Sequence, residues 1–162
     1  MKSSTAKKTA LLVLIMVAWI VLDQWTKSLF AAAQVGEKVG SILGGLVNFT
    51  LVHNTGAAWG IFSDNTIALG VFSAIVVVVL LVYFAYARST MNYLQTIGVA
   101  LIAAGGVGNA IDRFTQGHVT DFIAVTFIDF PVFNVADIGV TCGVVIFFIG
   151  LLLAWRTQED DA

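Results

Sequence analysis

Apolar residues recur in four long runs along the chain, and the polar residues gather between them. The runs cover about residues 10–30, 67–87, 94–110 and 135–155. The second run holds no charged residue over 21 positions. As an α-helix it would measure about 31 Å, enough to cross the hydrocarbon core of a bilayer. The pattern therefore predicts four transmembrane helices.

Composition supports this interpretation. The chain has 162 residues, of which 59% are hydrophobic and 11% charged, whereas roughly a quarter of the residues of a soluble domain are charged. We expect an all-α integral membrane protein with a single membrane-embedded domain over residues 1–162. The first run resembles a cleaved secretory signal, but Asp23 and Lys27 interrupt the path to the alanines at 31–33. A retained first span is therefore predicted.

The distribution of basic residues predicts the orientation in the membrane. Four spans place both termini on one side, with five of the eight basic residues: Lys2, Lys7, Lys8, Arg88 and Arg156. The other side holds Lys27, Lys38 and Arg113. Because cytoplasmic segments carry the excess of Lys and Arg, both termini are expected in the cytoplasm and loops 31–66 and 111–134 outside.

The first external loop is too apolar for a plain linker. Residues 47–52 read VNFTLV and alternate between apolar and polar positions, as a half-buried strand does. A small strand-rich element after the first helix, lying on the outer leaflet, is therefore predicted. Trp59, Ile61 and Phe62 are expected at the level of the lipid headgroups.

Carboxylates gather between the last two spans. Asp112, Asp121, Asp129 and Asp137 all lie between Gly105 and Asp137. A charged group near hydrocarbon is costly, so this cluster is a functional hypothesis by default. Asp121 and Asp137 come close together if the external segment between the third and fourth spans folds back, so that Asp121 lies beside the first turn of the fourth span. The alternatives are that Asp121 is a loop acid, that Asp137 complements a helix dipole, or that Asp129 is the reactive acid.

Other polar residues are candidates for support of such a site. Asn134 precedes Asp137 by three, the spacing of a helix cap with an acid at the third helical position. Asp23 and Lys27 share a helix face as an ion pair. Arg113 is expected to neutralise Asp112, and Asn54 and Asn109 are further candidates. The glycines at 105, 106 and 108 are typical of close helix packing.

Several function classes are disfavoured. No basic stripe is interleaved with aromatic residues, so nucleic acid is not an expected partner. The single cysteine, Cys142, can form neither an internal disulfide nor a metal cage. Neither a Gly-x-Ser-x-Gly nor a His-Glu-x-x-His motif occurs. His118 and Asp121 have too few companions for a metal site. Neither a metal nor an organic cofactor is expected.

The chain resembles the bacterial lipoprotein signal peptidases (type II signal peptidases, intramembrane aspartic peptidases). Five segments carry the resemblance: DQWTK at 23–27, NTGAAWG at 54–60, residues 105–113, VTDF at 119–122 and residues 130–137. The resemblance implies that Asp121 and Asp137 form a catalytic dyad. It implies that the following residues line or brace the site: Asn54, Asn109, Asp112, Arg113, Asn134 and Gly108. Asp23 and Lys27 would be structural support.

Two departures from the family pattern stand out. Ile138 follows Asp137 where many members carry a serine, and the segment between Asp121 and Pro131 is short. Otherwise the resemblance implies cleavage of diacylglyceryl-modified prolipoproteins just before the lipidated cysteine. It also implies a bacterial cytoplasmic membrane location, with the site near the outer leaflet and membrane lipid as a partner. We expect a monomer.

One alternative remains open, a small transporter or channel subunit that uses the acids as a proton or cation relay. Relay acids are expected nearer the middle of the bilayer, spread along the spans. A scaffold for a larger complex would leave the acid cluster without a role.

Overall fold

The described chain contains four α-helices and three β-strands. The computed structural model describes residues 2–56 and 65–160, with side chains over residues 4–56 and 65–156. In chain order the elements are α1 (Lys2–Ser28), β1 (Lys38–Ile42), β2 (Val47–Asn54), α2 (Thr66–Ala87), α3 (Tyr93–Gln116), β3 (Val119–Val125) and α4 (Val135–Asp160). Trp59, Ile61 and Phe62, and residues 57–60 of the second motif, lie outside the described residues.

All four helices of the described chain are long and apolar enough to span a membrane: Ser4–Ser28, Thr66–Ala87, Tyr93–Gln116 and Val135–Arg156. This confirms the predicted number and order of spans. Apolar side chains on α1, α2 and α4 are largely exposed, as lipid-facing side chains would be. α3 is the central helix: it packs against the other three, and Val99, Ala100 and Ala103 on it are fully buried.

The central helix is longer than the sequence predicted. It ends at Gln116 rather than near residue 110, and Gly117 follows in the left-handed conformation with φ of 75°. Glycine adopts this conformation at no steric cost, which is why it commonly terminates helices. The extension adds more than a helical turn, so Asp112 and Arg113 lie in α3 and not in the external loop.

Small residues bring α3 and α4 into close approach. A methyl group at Gly105 would lie only 2.3 Å from the carbonyl oxygen of Ala136. Glycine is therefore required where the first turn of α4 crosses α3. This agrees with the predicted packing role of the glycines, and it fixes the position of the turn that carries Asp137.

The strands form one antiparallel sheet in the order β1-β2-β3. β2 confirms the strand predicted at 47–52. The sequence predicts an external loop over residues 111–134, and it does not predict β3, which lies within that range. The first four residues of β3 are all buried, so this strand lacks the alternation that marked β2. The pairing places His53 opposite Thr120 and Asn54 opposite Val119, which joins the two external segments beside the bundle.

Candidate active site

A buried ionic cluster connects α1 to α3. Lys27 Nζ lies 2.9 Å from Asp23 Oδ2 and 3.0 Å from Asp112 Oδ2, and all three side chains are buried. The predicted pairing of Asp23 with Lys27 is therefore present. The expected pairing of Arg113 with Asp112 is not among the salt bridges of the described residues, and Lys27 from α1 contacts the Asp112 carboxylate instead.

Each carboxylate of this cluster also fixes the start of another element. Asp23 Oδ1 accepts a hydrogen bond of 2.8 Å from the backbone N–H of Ala136 in α4. Asp112 Oδ2 accepts one of 3.0 Å from the backbone N–H of Thr120 in β3. Charge-assisted bonds of this kind are about twice as strong as neutral ones. The two backbone segments held in this way are those that carry Asp137 and Asp121.

Asp121 lies on β3, and its two carboxylate oxygens accept hydrogen bonds from two asparagines. Oδ2 accepts from Asn54 Nδ2 at 2.9 Å, and Oδ1 accepts from Asn134 Nδ2 at 2.6 Å. Burial, and secondarily the charge of Asp137, raise the pKa of Asp121 to about 7. This carboxyl therefore holds its proton at a higher pH than an exposed aspartate does.

Asp137 lies in the first turn of α4 and is bonded reciprocally to Asn134. Its backbone N–H donates to Asn134 Oδ1 at 3.0 Å, and its Oδ2 accepts from the backbone N–H of Asn134 at 3.1 Å. The predicted cap is therefore present. Because Asn134 also donates to Asp121, it holds both carboxyls at one place.

Asn109 connects this pair to the ionic cluster. Its Oδ1 accepts hydrogen bonds from Lys27 Nζ at 3.1 Å and Asn134 Nδ2 at 3.0 Å, while its Nδ2 donates to Asp137 Oδ1 at 2.8 Å. An ammonium group only donates, so Lys27 determines which end of the amide faces it. The opposite end then presents N–H to Asp137.

Arg113 braces the end of β2 against α3. Its Nη2 donates to the carbonyl oxygen of Gly56 at 3.2 Å, and its Nη1 to that of Asn109 at 3.5 Å. Its buried Nε has no hydrogen-bond partner among the described residues. The guanidinium lines the same cavity as Asp121 and Asp137, so it places a positive charge beside the two carboxyls.

Both carboxyls open onto a cavity of about 640 Å³ between the sheet and the helices. Its polar end is formed by the two acids with Asn54, Asn109 and Arg113, and its wall includes Phe130 to Phe133. It continues along α3 and α4 past Gly105, Gly106 and Cys142 into the apolar part of the bundle. The cavity therefore joins both carboxyls to an apolar channel between α3 and α4.

Comparison with known proteins agrees with this arrangement. A family model described as signal peptidase (SPase) II matches residues 15–153. The chain belongs to the signal peptidase II family. It is 40% identical over 142 residues to the lipoprotein signal peptidase of Parasynechococcus marenigrum strain WH8102, covering 88% of this chain and 87% of the relative. It is 36% identical over 146 residues to that of Streptococcus pneumoniae, covering 90% and 95%.

Solved structures show the same fold. One bacterial membrane enzyme, solved at 2.3 Å resolution, superposes with a TM-score of 0.82 at 34% identity and covers 92% of both chains. A second, solved at 1.9 Å, gives a TM-score of 0.77 at 36% identity over 88% of this chain and 93% of that one. This chain is therefore a peptidase of the signal peptidase II family that crosses the membrane several times.

The structure separates the remaining candidates from the two carboxyls. Asp129, the rival acid, is exposed in the segment after β3 and does not line the cavity. Gly108 serves packing, because a methyl group there would lie 2.5 Å from Asp23 Oδ2. His118 stacks on His53 with ring centroids 3.7 Å apart. No group of three metal-ligating side chains occurs among the described residues.

The departure from the family pattern at Ile138 falls inside the cavity, where its side chain forms part of the wall beside Asp137. Sequence reasoning assigned no role to Gln24. Its Nε2 lies within hydrogen-bond distance of Asp112 Oδ1 at 3.1 Å and Asp23 Oδ2 at 3.2 Å. Its position next to Asp23 in the first motif was the available signal.

Proposed function

We propose that this protein is an aspartic lipoprotein signal peptidase. It would remove the signal peptide from diacylglyceryl-modified prolipoproteins, cutting just before the lipidated cysteine, with Asp121 and Asp137 as the catalytic dyad. The observation that carries the proposal is the sharing of Asn134 by two buried carboxyls at the wall of one cavity. The names of the curated relatives support the substrate class.

The chemistry follows from two adjacent carboxyls that share one proton. Like charges at close range cannot both ionise cheaply, so one carboxyl stays protonated near neutral pH. The ionised carboxyl takes a proton from a water molecule, which attacks the scissile carbonyl carbon. The protonated carboxyl donates to the carbonyl oxygen and, as the tetrahedral intermediate collapses, a proton passes to the leaving amine. The pair titrates as a unit.

The fixed polar groups around the dyad would support this reaction in two ways. Asn54 and Asn109 each donate one hydrogen bond to a carboxylate oxygen, which orients the dyad before substrate arrives. The Arg113 guanidinium in the same cavity favours the negative charge that develops on the carbonyl oxygen in the transition state. The apolar part of the cavity between α3 and α4 would receive the end of the signal helix.

We place both termini in the cytoplasm and the dyad near the outer leaflet, and treat residues 1–162 as one domain. The basic residues at the terminal end of the bundle support this orientation. The carboxyls and the sheet lie at the opposite end, where water and the end of a signal helix are available.

The test is cleavage of a lipidated precursor by the purified protein in lipid vesicles, with the unlipidated precursor as a control. Asp121→Asn and Asp137→Asn should each lower the rate by about 10²–10⁴-fold or more, since each removes a proton-transferring group. The protein should remain inserted. Asp129→Asn should retain full activity, because that residue is exposed outside the cavity. Full activity of either dyad variant would overturn the assignment.

The relay alternative gains no support from the arrangement of acids. In the described spans the acids are Asp23, Asp112 and Asp137, all at the end of the bundle that carries the sheet. A relay needs titratable groups that continue across the membrane. Proton flux into vesicles that contain the protein, without cleavage of the precursor, would favour the relay.

A further inference from the structure

A shallow groove lies along α1 at the end of the bundle that is opposite to the dyad. Its volume is about 740 Å³, and it is lined by Ala6, Thr9, Ala10, Val13, Leu14 and Val17 of α1, with Arg88 at its polar end. We call this feature the terminal groove. It is separate from the cavity of the dyad, and the peptidase mechanism makes no use of it.

The dimensions of the terminal groove suit one leaflet of a bilayer. From residue 6 to residue 17 the helix rises about 16 Å, which is roughly half of a hydrocarbon core about 30 Å thick. Val13, Leu14 and Val17 are 53%, 66% and 56% exposed, so no other part of the described chain covers this face. The groove therefore runs from the polar boundary to about the middle of the membrane.

The polar end of the groove is basic. Lys8 is buried and donates hydrogen bonds to the backbone carbonyl oxygens of Arg88 and Met91, so its ammonium group ties α1 to the turn after α2. This contact holds Arg88 at the mouth of the groove. The Arg88 side chain donates only one hydrogen bond to the described residues, from Nη1 to Thr9 Oγ1 at 3.2 Å. Most of its guanidinium donors remain available to a ligand.

Among the side chains that the structure describes, those around the groove add positive charge and no acid. Lys7 is exposed beside the groove, and the first turn of α1 carries no acidic residue. The N-terminal end of a helix also carries a partial positive charge. The groove therefore combines an apolar channel of one-leaflet length with a cationic end that presents free hydrogen-bond donors.

Charge decides which occupant fits. A second copy of the chain would insert with the same orientation, so its own Lys7 and Arg88 would face those of the first copy. A phospholipid with a net negative charge brings the opposite sign to the same place, and a guanidinium binds phosphate oxygens in a fork. We propose that the terminal groove binds an anionic phospholipid, with its phosphate on Arg88 and one acyl chain along Val13 and Val17.

The experiment measures retained lipid on the intact protein. The full chain is extracted from nanodiscs of equal parts phosphatidylglycerol and phosphatidylethanolamine, and bound lipid is identified by native mass spectrometry. Phosphatidylglycerol should be retained in preference. Arg88→Gln should lower that preference about fivefold, the factor expected for one basic residue near an anionic headgroup. Arg156→Gln removes the same charge at the same end of the bundle, away from the groove, and should leave the preference unchanged.

A second variant keeps the test decisive if Arg88→Gln fails to fold. Ala10→Phe fills the exposed apolar channel and should reduce retention of the lipid while helical content and precursor cleavage stay unchanged. Three results would overturn the proposal: no preference for phosphatidylglycerol, an equal loss in Arg88→Gln and Arg156→Gln, or a dimer without lipid that Ala10→Phe dissociates. The measurement is independent of the proposed function, because lipid retention does not require cleavage.

Discussion

Gly105 offers the sharpest test of how the fold positions the dyad. Replacing it with alanine adds one methyl group, 2.3 Å from the carbonyl oxygen of Ala136, where ordinary contact begins at 3.4 Å. The nearest obstacle is backbone, which no rotamer change can move aside. The first turn of α4 must therefore shift by about 1 Å relative to α3, since overpacked cores relax through backbone movement.

Helix propensity and overpacking change the free energy of unfolding in opposite directions. The alanine gains about 1 kcal/mol of helix propensity over glycine, and overpacking costs about 1–3 kcal/mol. The net change in the free energy of unfolding is thus a loss of about 0–2 kcal/mol, so the protein still folds. With Asp137 in its proposed catalytic role, activity should fall more than stability, because Asp137 moves with its turn. A misplacement of about 1 Å lowers a rate about 10²-fold, which is about 2.7 kcal/mol in the barrier.

The neighbouring Gly106 provides a matched control. Alanine there gains the same helix propensity, and its methyl group would meet only a side-chain methyl of Val77, at 2.8 Å. That group can move, so Gly106→Ala should stay within a few-fold of the parent. The assay is kcat/KM for the lipidated precursor in vesicles, with thermal unfolding in detergent as the stability measurement. Equal activity of Gly105→Ala and Gly106→Ala would refute the argument that this crossing sets the position of Asp137.

Two further predictions concern charge. Lys27→Met leaves two buried carboxylates without their cation and should destabilise the protein by about 3–5 kcal/mol. The exposed Lys38→Met is its control in thermal unfolding, and equal effects would contradict the role of the cluster. Because folding raises the pKa of Asp121 from 3.8 to about 7, the folded state binds more protons between those values, and stability falls as pH rises through this window. Asp121→Asn should remove that part of the pH dependence, and parental activity should decline above pH about 7 as the shared proton leaves. An unchanged stability profile in Asp121→Asn, or parental activity that stays level well above pH 7, would contradict the shifted pKa.

The features that the sequence predicted well are those with a local pattern. Each span is a continuous apolar run, β2 alternates with a period of two, and the cap of α4 needs only the three-residue spacing from Asn134 to Asp137. The pair of Asp23 and Lys27 likewise follows from a spacing of four on one helix. In all these cases the partners are close in the chain, so helix or strand geometry alone brings them together.

The features that it missed depend on partners distant in the chain. β3 is buried from its first residue, because it packs between β2 and the bundle, so it shows no polar face from which to infer a strand. The partner of Asp112 is Lys27, 85 positions away, and no spacing rule points to it. The adjacent Arg113 was the obvious candidate from the sequence, yet it is directed toward Gly56 and the cavity.

The two pairs of buried acids, Asp23 with Asp112 and Asp121 with Asp137, differ in the groups that contact them. Asp23 and Asp112 contact the ammonium of Lys27 and backbone N–H groups. Asp121 and Asp137 receive their side-chain hydrogen bonds from neutral asparagine amides. Arg113 is the one cation among the described residues that line their cavity. For Asp121, burial and the charge of Asp137 outweigh the asparagine hydrogen bonds and the charge of Lys27, so its pKa is raised. The proposed mechanism would use this difference: Lys27 pairs with Asp23 and Asp112, whereas Asp121 and Asp137 would share a mobile proton, which general acid and base catalysis requires.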